Sequence, residues 1–193
     1  MVRLRGFDEE EVLQAAVRVF WEKGYEATSL NDLTSAMAIQ RPSLYLAFGD
    51  KKQLFETALR KYNQWHASSI RKKLQSGSSV REALHAYFTA LVDEEYEGKG
   101  SLGCFCVHTM VELAPRDEKI KIITREHQAY LAVLFQEAIE RGIQSGELKK
   151  GTDAQAIGQS LVVSLIGITV MLKARPERTF LDHAVSVALS SIG

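Results

Sequence analysis

Residues 28–55 read TSLNDLTSAMAIQRPSLYLAFGDKKQLF. Two short apolar sets lie in this stretch at helical spacing, Leu30, Leu33, Ala36 and Met37 and then Leu44 and Phe48, with a break at Ala38 and Ile39 between them. Thr28 is a candidate cap for the first of these helices. Pro42 fits only in the first turn of the second, where its missing N–H costs nothing and its fixed φ is already helical, so that helix begins at Gln40 or Arg41. Gly49 ends it. Asp50 then caps a fourth helix that starts at Lys51 and runs through Leu54, Phe55, Ala58 and Leu59 past Trp65 and Ile70. Upstream, Asp8 can cap a first helix with Glu11 three residues on, and Phe7 can staple against Val12. Val12, Ala15, Ala16, Val19 and Phe20 form its apolar face, and Gly24 stops it.

The remaining chain lengthens its elements. Ser79-x-x-Glu82 predicts a capping box opening a helix to about residue 95. The segment EGKGSLG at 97–103 predicts a loop, and residues 104–113 a helix ended by Pro115. Longer helices are predicted over 117–145, 153–173 and 177–191. The expectation is an all-α protein of about nine helices. A three-helix head with a helix-turn-helix occupies residues 1–52, and a helical bundle occupies 53–193.

The chain has 193 residues, 46% of them hydrophobic, with 24 basic and 24 acidic side chains. Zero formal charge removes the simplest electrostatic argument for nucleic acid, and residues 1–61 repeat the balance with nine of each sign. Position carries more information than the sum. Asp8, Glu9, Glu10 and Glu11 sit where a helix dipole favours acids, while Arg3, Arg5, Arg41, Lys51 and Lys52 lie at segment ends and are available to a ligand. The start of the chain lacks the apolar run of a secretory signal. The apolar stretch at 157–172 is interrupted by Gln159, Ser160 and Ser164 and is shorter than the ~20 residues of a bilayer span. A cytoplasmic protein with no membrane partner is expected. The two cysteines, Cys104 and Cys106, are too few for a disulfide framework and fit a reducing compartment.

Two short helices with a tight turn form the arrangement that presents one helix to a DNA major groove, although ordinary helical corners share it. With Leu44 and Phe48 facing inward, Tyr45 and Leu46 face outward beside Arg41, and large exposed side chains call for a partner. A phenol can donate to a phosphate, a guanidinium can meet guanine or phosphate, and a leucine can touch a thymine methyl. Lys51, at a helix N-terminus, makes a phosphate site.

The motifs T-S-L-x-D-L (28–33), S-L-Y-x-x-F (43–48) and K-x-x-L-F (51–55), preceded by A-x-x-x-F-x-x-K-G-Y-E-A (16–27), resemble the helix-turn-helix of TetR-type bacterial transcriptional regulators. G-C-F-C-V-H-T-M-V-E-L-A-P (103–115) resembles a stretch found in some of the subfamilies. The resemblance implies that Thr28 and Tyr45 contact phosphates, that Gln40, Arg41, Ser43 and Leu46 face base edges or backbone, and that Lys51 anchors a phosphate. It implies a repressor released from a palindromic double-stranded operator by a small molecule, and a homodimer formed through residues 153–191. Two positions depart from the family pattern. Ala38 stands where glycine often makes the turn, so the turn either holds Ala38 at positive φ or is of another type, and Leu46 replaces a frequent histidine.

The pocket such a bundle encloses is expected to take an uncharged, largely apolar effector. Trp65, Phe88, Cys104, Met110 and Phe135 are the expected lining, with Tyr87, Phe105 and Tyr130 as further candidates. Cys104, His108 and Glu112 fall at i, i+4 and i+8 on one helix, a spacing open to a metal site, a reactive thiolate or plain packing, and plain packing is the preferred reading. His66, His85, His127 and His183 stand singly, and neither a phosphate loop nor a nucleophile elbow is present, so no catalysis and no cofactor is expected. The competing readings are a thiol- or metal-responsive DNA-binding sensor using Cys104, and a helical protein-interaction module.

Overall fold

The computed structural model describes residues 8–97 and 102–192. The expectations placed on Arg3, Arg5 and Phe7, and on residues 98–101 of the predicted loop, lie outside the described residues. Among the described residues the fold is all-α, in nine helices: α1 (Glu9–Lys23), α2 (Leu30–Ala36), α3 (Arg41–Phe48), α4 (Lys51–Gln75), α5 (Val80–Tyr96), α6 (Phe105–Leu113), α7 (Glu118–Gln144), α8 (Ala154–Leu172) and α9 (Arg178–Leu189), with a short 3₁₀ turn at Ser190–Ile192.

Local chemistry sets most boundaries. Asp8 accepts from the Glu10 amide at 2.9 Å, and Gly24 closes α1 at φ 78°. Asp50 and Gln53 form a reciprocal box at the start of α4. The cap of α2 is Ser29 rather than Thr28. Ser29 accepts from the Asp32 amide while the Asp32 carboxylate accepts from the Ser29 amide, and the Asp32 carboxyl is held below its usual range by Lys23, 2.6 Å away. At α5, Ser79 accepts from the Glu82 amide, but its hydroxyl donates to Glu147, which also accepts the Val80 and Arg81 amides. A residue from beyond α7 thus joins in capping α5.

The apolar faces gather in two cores. One joins the second half of α4 to α5, α7, α8 and α9 around Phe88, Phe135, Leu84, Leu161 and Leu181. The other holds α1–α3 and the first half of α4 together with α6 and the start of α7, around Phe20, Leu33, Leu44, Phe55, Phe105 and Ile120. Phe55 lies between Phe20 and Phe105 in edge-to-face contacts of 4.9 and 5.6 Å. The core of the head is therefore completed by α6, a helix expected from the sequence to belong wholly to the bundle.

By length and composition α8 could cross a membrane. Here it packs on α7 and α9, with Leu161, Leu165, Ile168 and Leu172 buried and Ile157 half-buried. A Cβ at Gly158 would stand 2.7 Å from the Ala132 carbonyl oxygen and 3.0 Å from the Gln136 nitrogen, so only glycine lets α8 approach the α7 backbone this closely. A Cβ at Gly167 would meet open space, and Ser160 is exposed, so they play no part in that approach.

Candidate DNA-recognition face and internal cavity

The turn from α2 to α3 explains how the head presents a helix. The Ile39 amide donates to the Thr34 carbonyl and the Ala38 amide to the Ser35 carbonyl, the paired bonds of a Schellman ending, with Ala38 in the left-handed position at φ 50°. Of the two turn types left open by the sequence, the chain takes the one with positive φ. Ile39, just after it, packs into the head core. Gln40 then precedes α3 in extended conformation, and Leu44 and Phe48 anchor the helix.

The outward side of α3 carries Gln40, Arg41, Tyr45 and Leu46, all exposed, with Ser43 half-buried. Leu46 is 68% exposed and Tyr45 49%, although both are large and apolar in the main. The Arg41 guanidinium donates to the Asn31 side chain of α2 at 2.7 Å. Lys51 reaches the Glu26 carbonyl at 3.5 Å and lies 4.5 Å from the Tyr25 ring centre, beside the same face. Thr28 does not share this exposure. It is 2% exposed and its hydroxyl donates to the Gly24 carbonyl at 2.6 Å, so its side chain holds the turn after α1 and is not presented to a phosphate.

A cavity of about 600 Å³ lies deeper, walled by α4, α5, α7, α8 and residues 102–107, with Trp21 of α1 as a contribution from the head. Of the expected lining, the structure brings Cys104 and Tyr87 to this wall. Phe88 and Phe135 do not line it. They are fully buried and pack on each other at 6.0 Å inside the bundle core. Phe105 belongs to the head core, and Trp65 is half-buried under Lys61. Met110 packs behind the wall, where its sulfur meets Gln128, and Tyr130 borders a separate surface groove. An aromatic spacing cannot distinguish a residue that fills space from one that borders it.

The polar half of the lining was not evident from the sequence. His66 Nδ1 and His127 Nε2, from α4 and α7, meet at 3.0 Å, so these two histidines are not single. Burial, with Lys73 nearby, holds His66 down at about 4, and burial with His66 as neighbour holds His127 at about 3. Both rings are neutral at pH 7. Tyr62 stacks on His66 at 5.5 Å, and burial raises its phenol pKa, with Cys104 adding to the effect. Burial likewise pushes both thiols up, so Cys104 and Cys106 are protonated. The Tyr87 hydroxyl is buried without a hydrogen-bond partner. One signal was available in the sequence: Tyr62, His66, Ile70 and Lys73 share one face of α4, an unusual mixture for a core face.

Three hydrogen bonds connect the head to the cavity-wall segment and to α6. The Trp21 indole donates to the Leu102 carbonyl at 3.1 Å. On α6, Glu112 accepts from the Tyr25 and Glu26 amides, at 3.3 and 3.2 Å, in the turn between α1 and α2. Glu112 thus serves the turn of the head, and among the described residues no three His, Cys, Asp or Glu side chains converge on a metal position.

Comparison with known proteins places this geometry. Residues 12–58 match the family model "Bacterial regulatory proteins, tetR family", and residues 78–188 match "Tetracyclin repressor-like, C-terminal domain". The chain is 31% identical over 191 residues to the uncharacterized HTH-type transcriptional regulator YezE of Bacillus subtilis, covering 98% of each chain. It is 28% identical to the HTH-type transcriptional repressor ComR of Escherichia coli, covering 96% of this chain and 88% of that one. Among solved structures, a cysteine mutant of the TetR family regulator CifR complexed with double-strand operator DNA superposes with a TM-score of 0.84 at 34% identity, covering 99% of this chain and 100% of that one.

Proposed function

The chain belongs to the TetR family of bacterial regulatory proteins and is a DNA-binding transcriptional regulator, and we propose that it is a cytoplasmic, homodimeric repressor released from a palindromic operator by a small molecule. In this reading residues 1–52 bind DNA and residues 53–193 bind the effector and form the dimer. The helix α3 enters the major groove, with Gln40, Arg41, Ser43 and Leu46 at base edges or backbone, and Tyr45 and Lys51 on phosphates. Arg41 exchanges its Asn31 contact for the DNA. Thr28 contributes through the turn it holds, not through its hydroxyl.

Dimerisation is supported by the apolar side chains that α8 and α9 leave outward: Val163, Val170, Met171, Phe180 and Val187 are all exposed in the single chain. A two-fold pair through residues 153–191 covers them and sets two α3 helices about one DNA turn apart.

One observation carries the effector reading. The cavity wall includes Trp21 of the head and the segment that leads into α6, and Glu112 of α6 holds the turn before α2. An occupant that displaces this wall moves the head. A hundredfold loss of operator affinity requires the occupant to prefer the non-binding state by about 2.7 kcal/mol, a normal allosteric coupling. A response through the Cys104 thiolate is less favoured, because burial keeps that thiol protonated.

The test is a mobility shift with the promoter region of the protein's own gene. The dimer is expected to retard it, with affinity falling steeply as salt rises, and Arg41→Ala and Tyr45→Ala are expected to weaken it. A folded dimer that fails to bind at low salt overturns the reading.

A further inference from the structure

The polar groups of the cavity specify more than its volume does. Tyr87 borders the cavity, and its buried hydroxyl meets no protein acceptor. A buried hydroxyl left without a partner is destabilising, so a ligand oxygen that accepts its proton recovers that cost. The His66–His127 pair borders the same space. Whichever ring donates in their mutual hydrogen bond, the two outer nitrogens present one donor and one acceptor, so the pair offers hydrogen bonds without fixed charge. The charged side chains of the lining, Lys73 and Glu94, are of opposite sign, on neighbouring helices. An anion would meet Glu94, and a cation would meet Lys73. The rest of the wall is mainly apolar, as in Ile70, Leu91 and Leu165.

Resting on the effector reading above, we propose that the inducer is an uncharged, mainly apolar molecule carrying a carbonyl-type oxygen, which accepts the Tyr87 hydroxyl proton while the His66–His127 pair forms a neutral polar wall around it. The occupant fits within about 600 Å³. Tyr87 selects the functional group, and the histidines admit a second polar atom of either sense.

Three fluorescent probes test this on the full-length protein. Prodan is a neutral aryl ketone whose emission responds to hydrogen bonding at its carbonyl, N-phenyl-1-naphthylamine is neutral and lacks an acceptor oxygen, and 1-anilinonaphthalene-8-sulfonate is anionic. Prodan is expected to bind most tightly. Tyr87→Phe, which removes only the hydroxyl, is expected to weaken prodan about fivefold, the worth of one neutral hydrogen bond, and to leave N-phenyl-1-naphthylamine within about twofold. Leu91→Trp, which narrows the cavity, is expected to weaken both neutral probes while thermal unfolding shows a folded protein. The proposal is overturned if prodan does not bind, if it binds regardless of Leu91→Trp, if Tyr87→Phe leaves it unchanged or weakens both neutral probes equally, or if the sulfonate binds more tightly. A parallel mobility shift separates the two readings. Tyr87-dependent prodan binding without any effect of occupancy on DNA refutes effector control but leaves the cavity chemistry in place.

Discussion

Lowering the pH from 7.5 to 5.5 is expected to destabilise this protein through two histidines. Burial holds His66 at about 4 and His127 at about 3, against 6.5 for an unhindered ring. The sign follows from which state takes up protons. With native values below the unfolded one, the unfolded chain protonates first, so the contribution is fully present above pH 6.5 and is lost as pH falls towards 4. At pH 5.5 the native pair is still neutral while the unfolded rings are charged. One pH unit below 6.5 then costs about 1.4 kcal/mol for each histidine, or roughly 3 kcal/mol for the pair. That is a large part of the ~5–15 kcal/mol typical of a folded domain. Urea unfolding at fixed protein concentration, at half-unit steps between pH 7.5 and 5.5, measures it. The double variant His66→Gln/His127→Gln should flatten the profile over this window. If the variant keeps the wild-type slope, the pair is not the source, and its placement in a desolvated wall is wrong.

Other perturbations test the geometry elsewhere. Gly158→Ala puts a methyl against backbone atoms of α7 that cannot move independently; after its gain in helix propensity it should cost about 1–2 kcal/mol, read as a lower midpoint in thermal unfolding. Ala38→Gly relieves the left-handed strain of about 1–2 kcal/mol while adding chain entropy to the unfolded state, for a net gain of roughly 0.5 kcal/mol and a melting temperature higher by about 1–2 °C. Glu112→Ala leaves the Tyr25 and Glu26 amides without their acceptor; it should raise the operator Kd several-fold in a mobility shift and leave prodan affinity unchanged. Val187→Glu, with a charge on the outward face of α9, should shift the dimer to monomer in sedimentation velocity.

Where a structural feature depends on neighbours within one turn of chain, it was legible in the sequence. Asp8, Pro42, Gly49 and Asp50 fix their helix ends by side-chain and φ chemistry that needs no distant partner, and Leu44 with Phe48 fixes the face of α3 that turns inward. The exposure of Tyr45 and Leu46 followed from the same periodicity. Thr28 shows the limit of such reasoning. Thr28 and Ser29 are both cap residues, and Ser29 takes the role because it pairs reciprocally with Asp32 while the Thr28 hydroxyl donates to the Gly24 carbonyl.

The cavity was not legible, because its polar wall is assembled from groups far apart in the chain. His66 and His127 are 61 residues apart, and nothing in either local sequence states that α4 and α7 bring them to 3.0 Å. The aromatic residues expected there, Phe88 and Phe135, satisfy the same helical spacing as true lining residues, and packing consigned them to the core. About nine helices, a break near Ala38 and the outward face of α3 could be read from the chain alone, since these rest on local dihedral preferences and apolar period, while the turn type could not. Packing settled the rest: α6 completes the head, Glu112 ties it to the α1–α2 turn, and neutral histidines and Tyr87 with its unpartnered hydroxyl line the cavity. Those features arise from side chains brought together by packing between helices, and the desolvation that shifts their protonation exists only once the chain is folded.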